Sequence, residues 1–236
     1  MANIIITGAS SGIGFETVLD LTANKENNVI ALARSADKLR RLHEIAKDLN
    51  FDGGQLYPAQ FDIVYDNYTD SLIPFIKSKF DKVDILINNA GALINKPFLE
   101  TSTEEFASML QTNILGHVNM IKHIVPLMSE GAHIVNIGSM GGVQGSVKFS
   151  GLSAYSASKG ALAILTEVLA EEFKVKGIKV NCLALGSSQT EMFEEAFPDA
   201  QAGTLAFEMG RYVAEFAQTG AKFYNGKILP VANTTP

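Results

Sequence analysis

The sequence predicts a doubly wound α/β fold of the Rossmann type, with a seven-stranded, mostly parallel sheet and helices on both faces. Two patterns carry this prediction. Short apolar runs rich in β-branched residues alternate with longer segments of helical period, which is typical of successive βαβ units. The first of these runs leads through a glycine-rich turn directly into a helical pattern. The length of 236 residues and the hydrophobic share of 47% fit a single domain over residues 1–236.

The elements follow one another in a regular order. Strands are expected at Asn3–Thr7, Asn28–Ala33, Gln55–Phe61, Val83–Asn88, His133–Gly138, Lys179–Leu185 and Lys227–Val231. Helices are expected to begin near Gly12, Ala36, Asp66, Thr103 and Ala154. Right-handed crossovers would place these helices on both faces of the sheet.

The segment at about 189–222 breaks this order, because it is partly helical, rich in Phe and Ala, and has no evident strand. Long excursions between sheet elements often carry function, so we interpret this segment as a lid over the functional site. The alternative is a pair of helices that only packs on the sheet.

The composition favours a cytoplasmic protein whose partners are small molecules. A net charge of −6, without a long basic run, disfavours binding to nucleic acid or to an anionic membrane. The chain shows no apolar run of the roughly 20 residues that span a bilayer, and its start lacks the pattern of a signal peptide. The single Cys182 is expected to be a small buried hydrophobe. No metal site is expected, because none of the histidines has ligand spacing: His43, His117, His123 and His133.

Three glycines in the first turn have separate mechanical roles. Gly8 permits the tight turn out of the strand, and Gly12 allows a pyrophosphate to approach the backbone. Gly14 allows the following helix to pack closely on the strand. The helix N-terminus then presents free N–H groups and the positive end of its dipole to phosphate groups. The turn therefore predicts a dinucleotide site at the start of the βαβ series.

The order of motifs along nearly the whole chain resembles the short-chain dehydrogenase/reductase family. The family's Thr-Gly-x-x-x-Gly-x-Gly turn matches Thr7–Gly14, and its further motifs follow in the same order as Asp62, Asn88–Gly91, Asn113, Ser139, Tyr155 and Lys159. The resemblance implies an oxidoreductase that interconverts a carbonyl and an alcohol with a nicotinamide cofactor. The residues that it implies for cofactor binding are Gly8, Ser10, Ser11, Gly12, Ile13, Gly14, Arg34, Ser35, Asp62, Ile63, Asn89, Ala90, Gly91, Tyr155, Lys159, Gly186 and Thr190.

The resemblance also implies four catalytic residues. Tyr155 would donate a proton to the carbonyl oxygen in reduction and remove it in oxidation, while Ser139 would hydrogen-bond the same oxygen. Lys159 would hold the nicotinamide ribose, and Asn113 would link this lysine to a proton-relay water.

The spacing of Tyr155 and Lys159 adds a physical argument. Residues at positions i and i+4 share one face of a helix. An ammonium about 4 Å from the phenol supplies about 4 kcal/mol at an effective dielectric of about 20. Each pKa unit corresponds to about 1.36 kcal/mol, so we expect the lysine to lower the pKa of the phenol from about 10 towards neutral pH.

The end of the second strand predicts a preference for NADP(H), with NAD(H) as the remaining option. An acidic residue there would bind the ribose hydroxyls of NAD and repel a 2′-phosphate, but this chain has Ala33. The next residue, Arg34, offers a planar, permanently charged guanidinium, and Ser35 and Ser10 offer hydroxyl groups.

Two features depart from the family pattern. The loop Met140–Ala154 is longer than usual and rich in glycine, and Leu185-Gly186 replaces the family's Pro-Gly. We expect the loss of the proline to loosen that turn. Thr190 keeps the place that, in the family, meets the nicotinamide carboxamide.

The substrate is expected to be a small, partly apolar carbonyl compound or alcohol, in a pocket lined by Leu93, Met140, Phe149, Leu152, Leu185 and Met192. Two alternatives remain. A 3-oxoacyl-[acyl-carrier-protein] reductase would use Lys174, Lys176 and Lys179 to dock an acidic partner, and a non-catalytic NADP(H)-binding regulator would share the fold alone. The helices near Thr103–Val125 and Ala154–Phe173 are apolar on more than one face, which predicts a homodimer or a homotetramer.

Overall fold

Parallel strands and the helices between them follow the predicted order. The computed structural model describes residues 1–50 and 52–232. Its strands are β1 (Ala2–Thr7), β2 (Asn27–Ala33), β3 (Gln55–Gln60), β4 (Val83–Asn88), β5 (Met128–Ser139), β6 (Lys179–Leu185), β7 (Ser188–Gln189), β8 (Thr204–Leu205) and β9 (Ile228–Val231). Its α-helices are α1 (Gly12–Ala23), α2 (Ala36–Leu49), α3 (Ile73–Lys79), α4 (Thr103–Leu110), α5 (Gly116–Ile124), α6 (Ser153–Glu172), α7 (Glu191–Ala196) and α8 (Ala206–Thr219).

The main sheet has seven strands in the order β3-β2-β1-β4-β5-β6-β9, and each neighbouring pair is parallel. The predicted doubly wound fold is therefore confirmed. The strand order reverses between β1 and β4, so the loops that follow these two strands leave a crevice at the carboxyl edge of the sheet. Ligands of open α/β sheets bind in this crevice.

Two apolar layers cover the sheet. Side chains of α1, α2 and α8 pack on one face, and those of α3, α5 and α6 pack on the other. The central strands alternate between these layers: Ile4 and Ile6 of β1 belong to the first, and Ile5 belongs to the second. Because both faces are covered, the strands read as continuous apolar runs in the sequence.

Three elements differ locally from the expected types or bounds. The helix expected near Asp66 begins as a π-helical turn at Tyr68–Leu72 and continues as α3. A second π-helical turn, Gln111–Leu115, joins α4 to α5. β5 begins at Met128, ahead of the predicted His133.

The segment at about 189–222 contains structure that the sequence did not predict. Ser188 pairs with Thr204, and Gln189 pairs with Leu205, so the expectation of no strand in this segment is wrong. α8 packs against α1 and belongs to the core, with the buried residues Met209, Gly210, Val213, Ala214, Phe216 and Ala217. The interpretation as a lid is therefore wrong for α8 and stays a prediction for residues 189–205, which include α7.

Within the described ranges, none of the helices combines the length and the apolar character that are needed to cross a membrane.

Candidate active site

The glycine turn after β1 lies directly against the loop that follows β4. Gly8 has a φ of +68°, a left-handed conformation that glycine adopts without strain. A Cβ atom on Gly8 would lie 2.6 Å from the Cα of Ala90, and one on Gly14 would lie 2.3 Å from the Nδ2 of Asn89. Both positions therefore require glycine.

Hydrogen bonds fasten these two loops to each other. The Thr7 hydroxyl oxygen accepts the backbone N–H of Asn89 at 3.1 Å and that of Ala90 at 3.0 Å. In return, Asn89 Nδ2 donates to the carbonyl oxygens of Thr7 and Gly8, both at 3.0 Å. Asn89 therefore holds the loop after β4 against the glycine turn after β1, and we call this pair of contacts the clasp.

The N-terminus of α1 fits a phosphate group. No side chain in the described part of the protein caps this helix, and its first turn carries no acidic residue. A Cβ atom on Gly12 would lie 3.2 Å from the Thr190 methyl carbon, so only a narrow gap separates the turn from the segment after β6. Uncapped N–H groups at a positive helix end, beside a gap lined by glycine, suit the pyrophosphate of a dinucleotide.

Ser139, Tyr155 and Lys159 meet at the carboxyl end of β5. Ser139 ends this strand, and its Oγ accepts the N–H of Gly141 at 3.2 Å. Tyr155 and Lys159 lie one turn apart on α6, which packs along β5 and β6. The Lys159 Nζ atom lies 5.9 Å from the centre of the Tyr155 ring. The structure therefore brings together the three residues that the motifs singled out.

The Lys159 ammonium is buried in the protein interior at the carboxyl end of β5. The residue is 4% exposed, and its Nζ donates to the Ile137 carbonyl at 2.7 Å. Burial lowers the pKa of Lys159 to about 8, and nearby Cys182 opposes this shift. Lys159 is therefore charged at neutral pH, at a cost in stability.

The pKa of Tyr155 differs from the sequence expectation. Burial raises the pKa of the phenol, and the neighbouring Ser139 hydroxyl opposes this shift without overcoming it. The expectation that Lys159 lowers the pKa of Tyr155 towards neutral is wrong for this structure, because the ammonium lies over the ring and donates to Ile137. Tyr155 is therefore a protonated acid across the neutral range.

Asn113 connects the loop after β4 with α6. This residue is fully buried in the π-helical turn before α5. Its Oδ1 accepts the N–H of Ala92 at 2.9 Å, and its Nδ2 donates to the Ala92 carbonyl at 3.0 Å and to Ser158 Oγ at 2.9 Å. Ser158 in turn donates to the Tyr155 carbonyl at 2.7 Å. The Asn113 side chain therefore holds the backbone around the site.

Arg34 and Ser35 lie where β2 meets α2. Arg34 is exposed, and its guanidinium makes no ion pair with any residue in the ranges described. Ser35 caps α2, since its Oγ accepts the N–H of Lys38 at 3.3 Å. Ser10, in the glycine turn, is partly exposed. The guanidinium of Arg34 is therefore available to an anionic ligand.

Asp62 and Ile63 follow β3, and their side chains are engaged with the protein. Asp62 Oδ1 accepts the N–H of Val64 at 2.8 Å. Ile63 is buried against Gly116, where a Cβ atom would lie 2.7 Å from the Ile63 Cδ1. The Ile63 side chain is therefore packed inside the protein, which leaves its backbone for the cofactor contact that the resemblance implies.

The turn after β6 forms the opposite wall of the crevice. Leu185, which stands in place of the family's proline, pairs with Ser139 on one side and with Val231 on the other. Gly186 continues this pairing by donating its N–H to the Val231 carbonyl at 2.9 Å. Thr190 caps α7, since its Oγ1 accepts the N–H of Phe193 at 3.2 Å, and its methyl group faces Gly12. The sheet, rather than a proline ring, sets the direction of the chain here.

A cavity of about 340 Å³ borders Ser156, the residue after Tyr155. Its wall consists of Phe98, Lys148, Phe149, Ser150, Gly151, Leu152, Ser153 and Ser156. Of the expected pocket residues, Phe149 and Leu152 line this cavity, and the other four do not. The reason is that the loop after β5 folds towards the segment after β4, where Lys96 donates its N–H to the Gly151 carbonyl at 2.9 Å.

His117 is a buried polar residue near the site that sequence analysis considered only as a metal ligand. It lies one turn after Asn113 and is 0% exposed. Neither ring nitrogen has a hydrogen-bond partner among the described residues. Burial lowers the pKa of His117 to about 3, and the positive charge of Lys159 adds to this effect. The i, i+4 spacing of Asn113 and His117 is the signal that could have indicated a shared role.

A parallel sheet with a glycine turn at its switch point, and a Ser–Tyr–Lys group beside that turn, defines a class of dinucleotide-dependent oxidoreductases. The sequence-family model described as short chain dehydrogenase matches residues 2–201 of this chain. The chain belongs to the short-chain dehydrogenase/reductase family, and the resemblance inferred from its motifs is confirmed.

Known proteins of similar sequence and structure agree with this assignment. The chain is 29% identical over 188 residues to an oxidoreductase of Botryotinia fuckeliana, a match that covers 79% of this chain and 65%, slightly less than two thirds, of that protein. It is 30% identical over 192 residues to a 3-oxoacyl-[acyl-carrier-protein] reductase of Synechocystis, which covers 80% of this chain and 75% of the relative. A short chain dehydrogenase structure from Shigella flexneri, complexed with NADP, has the same fold, with a TM-score of 0.86, 24% identity, and coverage of 97% and 96% of the two chains.

Proposed function

We propose that this oxidoreductase uses NADP(H) to interconvert a carbonyl and an alcohol on a small, partly apolar substrate. The observation that carries the proposal is the placement of Ser139, Tyr155 and Lys159 beside the glycine turn at the carboxyl edge of the sheet. The nicotinamide cofactor supplies or accepts the hydride, and the protein supplies the proton and holds the reactants.

Tyr155 is the proton donor in reduction. Its raised pKa keeps the phenol protonated, and the adjacent Ser139 hydroxyl can hydrogen-bond the same substrate oxygen. The phenolate that remains after proton transfer is stabilised by the Lys159 ammonium, whose Nζ lies 5.9 Å from the centre of the Tyr155 ring. Two opposite charges about 6 Å apart attract each other by about 3 kcal/mol at an effective dielectric of about 20. Lys159 thus acts on the charge that develops during the reaction rather than on the resting phenol.

The cavity beside Ser156 supports a partly apolar substrate. Phe98, Phe149 and Leu152 supply apolar surface, and the serines of its wall supply a few polar contacts. Pockets of this kind orient a small molecule through a small number of polar groups.

The experiment that tests the proposal is an assay of NADPH oxidation with a panel of small ketones, aldehydes and one 3-oxoacyl thioester. Turnover of at least one small carbonyl compound is expected. Binding of NADPH without turnover of any panel member would favour the alternative, a non-catalytic NADP(H)-binding regulator.

A 3-oxoacyl-[acyl-carrier-protein] reductase is the second candidate, favoured by the similarity to the Synechocystis protein. The lysines that would dock an acidic carrier protein are unfavourably placed. Lys174, Lys176 and Lys179 lie at the amino end of β6, whereas Ser139 and Tyr155 lie at the carboxyl end of the sheet. The length of a seven-residue strand, about 20 Å, separates the two ends. We therefore rank free small substrates above a carrier-bound one.

Arg34→Ala is expected to remove most of the preference for NADPH over NADH. A charge-assisted contact to the 2′-phosphate contributes about 1.5–3 kcal/mol, so the wild type should bind NADPH roughly ten- to a hundredfold more tightly than NADH. Dissociation constants of both cofactors, measured for wild type and variant, check this. Arg211→Ala is a matched control, because Arg211 is also an exposed arginine but lies on α8, near Asp20. Equal affinities of the wild type for the two cofactors would contradict the preference.

The outer face of α6 and the end of the π-helical turn before α5 support the proposal of a twofold-symmetric dimer or a tetramer that contains it. Leu115, Ile164 and Val168 are 46%, 61% and 49% exposed, although each is a large apolar residue. Ile164→Glu is expected to weaken the assembly, because it places a charge within an apolar contact. Light scattering of wild type and variant at micromolar concentration measures this. A monomeric wild type would exclude the assembly.

A further inference from the structure

We propose that His117 holds an internal water molecule against the Lys159 ammonium and thereby acts as a positioning residue for this lysine. The inference rests on the proposed role of Lys159 in the reaction. It assigns a function to a side chain that the Ser–Tyr–Lys chemistry does not use.

The location of His117 is the first observation. α5 carries this residue into the layer between the sheet and the helices, where its exposed fraction is 0%. Its ring lies within the field of the Lys159 charge and beside the backbone of Ala90, which opposes the lowering of its pKa but is too far away or too poorly aligned to be a full hydrogen-bond partner. Neither Nδ1 nor Nε2 has a hydrogen-bond partner within residues 1–50 and 52–232. A buried polar group of this kind is costly unless a partner or an internal water satisfies it.

A second unsatisfied polar atom lies in the same layer. Asn88 ends β4, and its Nδ2 donates to Asn136 Oδ1 at 2.9 Å. Asn136 Nδ2 donates in turn to Thr166 Oγ1 at 2.9 Å, so these side chains point from the sheet towards α6. The Oδ1 of Asn88 is buried and has no partner among the described residues. Internal waters bind where about two to four polar groups converge, and this layer offers several.

Lys159 has hydrogen-bonding capacity left for such a water. An ammonium carries three N–H donors, and the Ile137 carbonyl accepts one of them at 2.7 Å. Because residue 91 is a glycine, no side chain from this position covers the ammonium, whereas a Cβ atom there would lie in contact with Nζ at 3.6 Å. One donor remains for the cofactor ribose that the proposed function requires, and one remains for a water on the buried side.

The charge state of His117 suits the role of acceptor. Burial and the charge of Lys159 both lower its pKa, to about 3, so the imidazole is neutral and one ring nitrogen accepts hydrogen bonds. The Asn113 side chain is less suited, because Ala92 and Ser158 already engage both ends of its amide. His117 is therefore a buried polar side chain within the electrostatic reach of Lys159 whose hydrogen-bonding capacity is unused.

The direct test is a crystal structure of the wild type at a resolution that shows internal waters. We expect an ordered water bonded to a ring nitrogen of His117 and connected to Lys159 Nζ. The inference would be overturned if no ordered water lay between His117 and Lys159. It would also be overturned if a water bonded to His117 had no connection to Lys159. This readout does not depend on activity, so it remains valid if the proposed reaction proves wrong.

The functional test compares His117→Leu with His117→Asn and His117→Gln. Leu preserves the size of the side chain and removes the acceptor, so we expect kcat to fall about tenfold or more while KM changes less. One of the two amides, which place a polar atom near Nδ1 or Nε2, should restore kcat to within about threefold of the wild type. The control is Met120→Leu, because Met120 is also 0% exposed on α5 but offers no strong acceptor.

Thermal unfolding separates this role from a purely structural one. His117→Leu replaces the buried ring by an apolar side chain of similar size, and the water leaves with the ring, so the unfolding temperature should stay close to that of the wild type while kcat falls. A kcat of His117→Leu within twofold of the wild type would overturn the positioning role. The same conclusion would follow if both amide variants were as slow as the Leu variant. The proposed function fails separately, if Tyr155→Phe retains turnover.

Discussion

Tyr155→Phe is expected to lower turnover by at least about 100-fold and to leave the affinity for NADPH almost unchanged. A positioned acid or base contributes about 10²–10⁴-fold to a rate, and this substitution removes one oxygen without altering the shape of the crevice. Steady-state turnover and the dissociation constant of NADPH, measured on the same preparation, check both parts.

Tyr212→Phe is the matched control for this variant. Tyr212 lies on α8, where its ring packs near Phe216, away from the carboxyl edge of β5. The control variant should keep wild-type turnover. Residual turnover of Tyr155→Phe within tenfold of the wild type would mean that another group transfers the proton.

Lys159→Met is expected to abolish turnover and weaken NADPH binding while making the folded protein more stable. The lysine keeps a positive charge in a buried place, and its pKa of about 8 lies below the ordinary value of 10.5. This difference corresponds to about 3 kcal/mol, because each unit is about 1.36 kcal/mol. Met retains the packing of the stem and removes the buried charge. Urea unfolding at pH 7 measures the gain in the free energy of unfolding.

The lowered pKa of Lys159 also determines in which direction the stability of the protein changes with pH. Between about pH 8 and pH 10.5 the unfolded protein keeps the Lys159 proton that the folded protein releases, so this lysine makes the wild type more stable as pH rises. Below pH 8 both states are protonated, and the full cost of the buried charge is present. Lys159→Met should lack this rise, whereas Lys176→Met, at an exposed lysine, should retain it. Identical slopes in both variants would argue against a buried ammonium.

The fold could be predicted because its signals are local and repeated. Both faces of the parallel sheet are covered, so β1 and β2 contain the apolar runs Ile4–Ile6 and Val29–Ala33. The glycines at positions 8 and 14 are required by contacts closer than 3 Å. The apolar runs and the glycine spacing can be read from the sequence without knowledge of the distant residues that they contact. The β7–β8 pairing could not be predicted, because two-residue strands have no period.

The remaining differences concern properties that depend on three-dimensional distance. The pKa of Tyr155 is set by its burial and by the direction of the Lys159 hydrogen bond, and the i, i+4 spacing contains neither. α8 belongs to the segment interpreted as a lid because that segment breaks the strand–helix order and has no evident strand in the sequence. Its burial becomes clear only from its packing against α1. His117 shows the same limit, since its unpaired nitrogens are a property of the packed core.

The clasp between Asn89 and the first glycine turn also bears on how the protein is made. The two partners lie 82 residues apart in the chain, and the turn is held by side-chain and backbone groups from both. During synthesis, the nascent chain exposes the complete glycine motif long before β4 leaves the ribosome. The motif therefore stays unsupported until β4 has inserted beside β1. The dinucleotide site that we propose can take its final form only after this step.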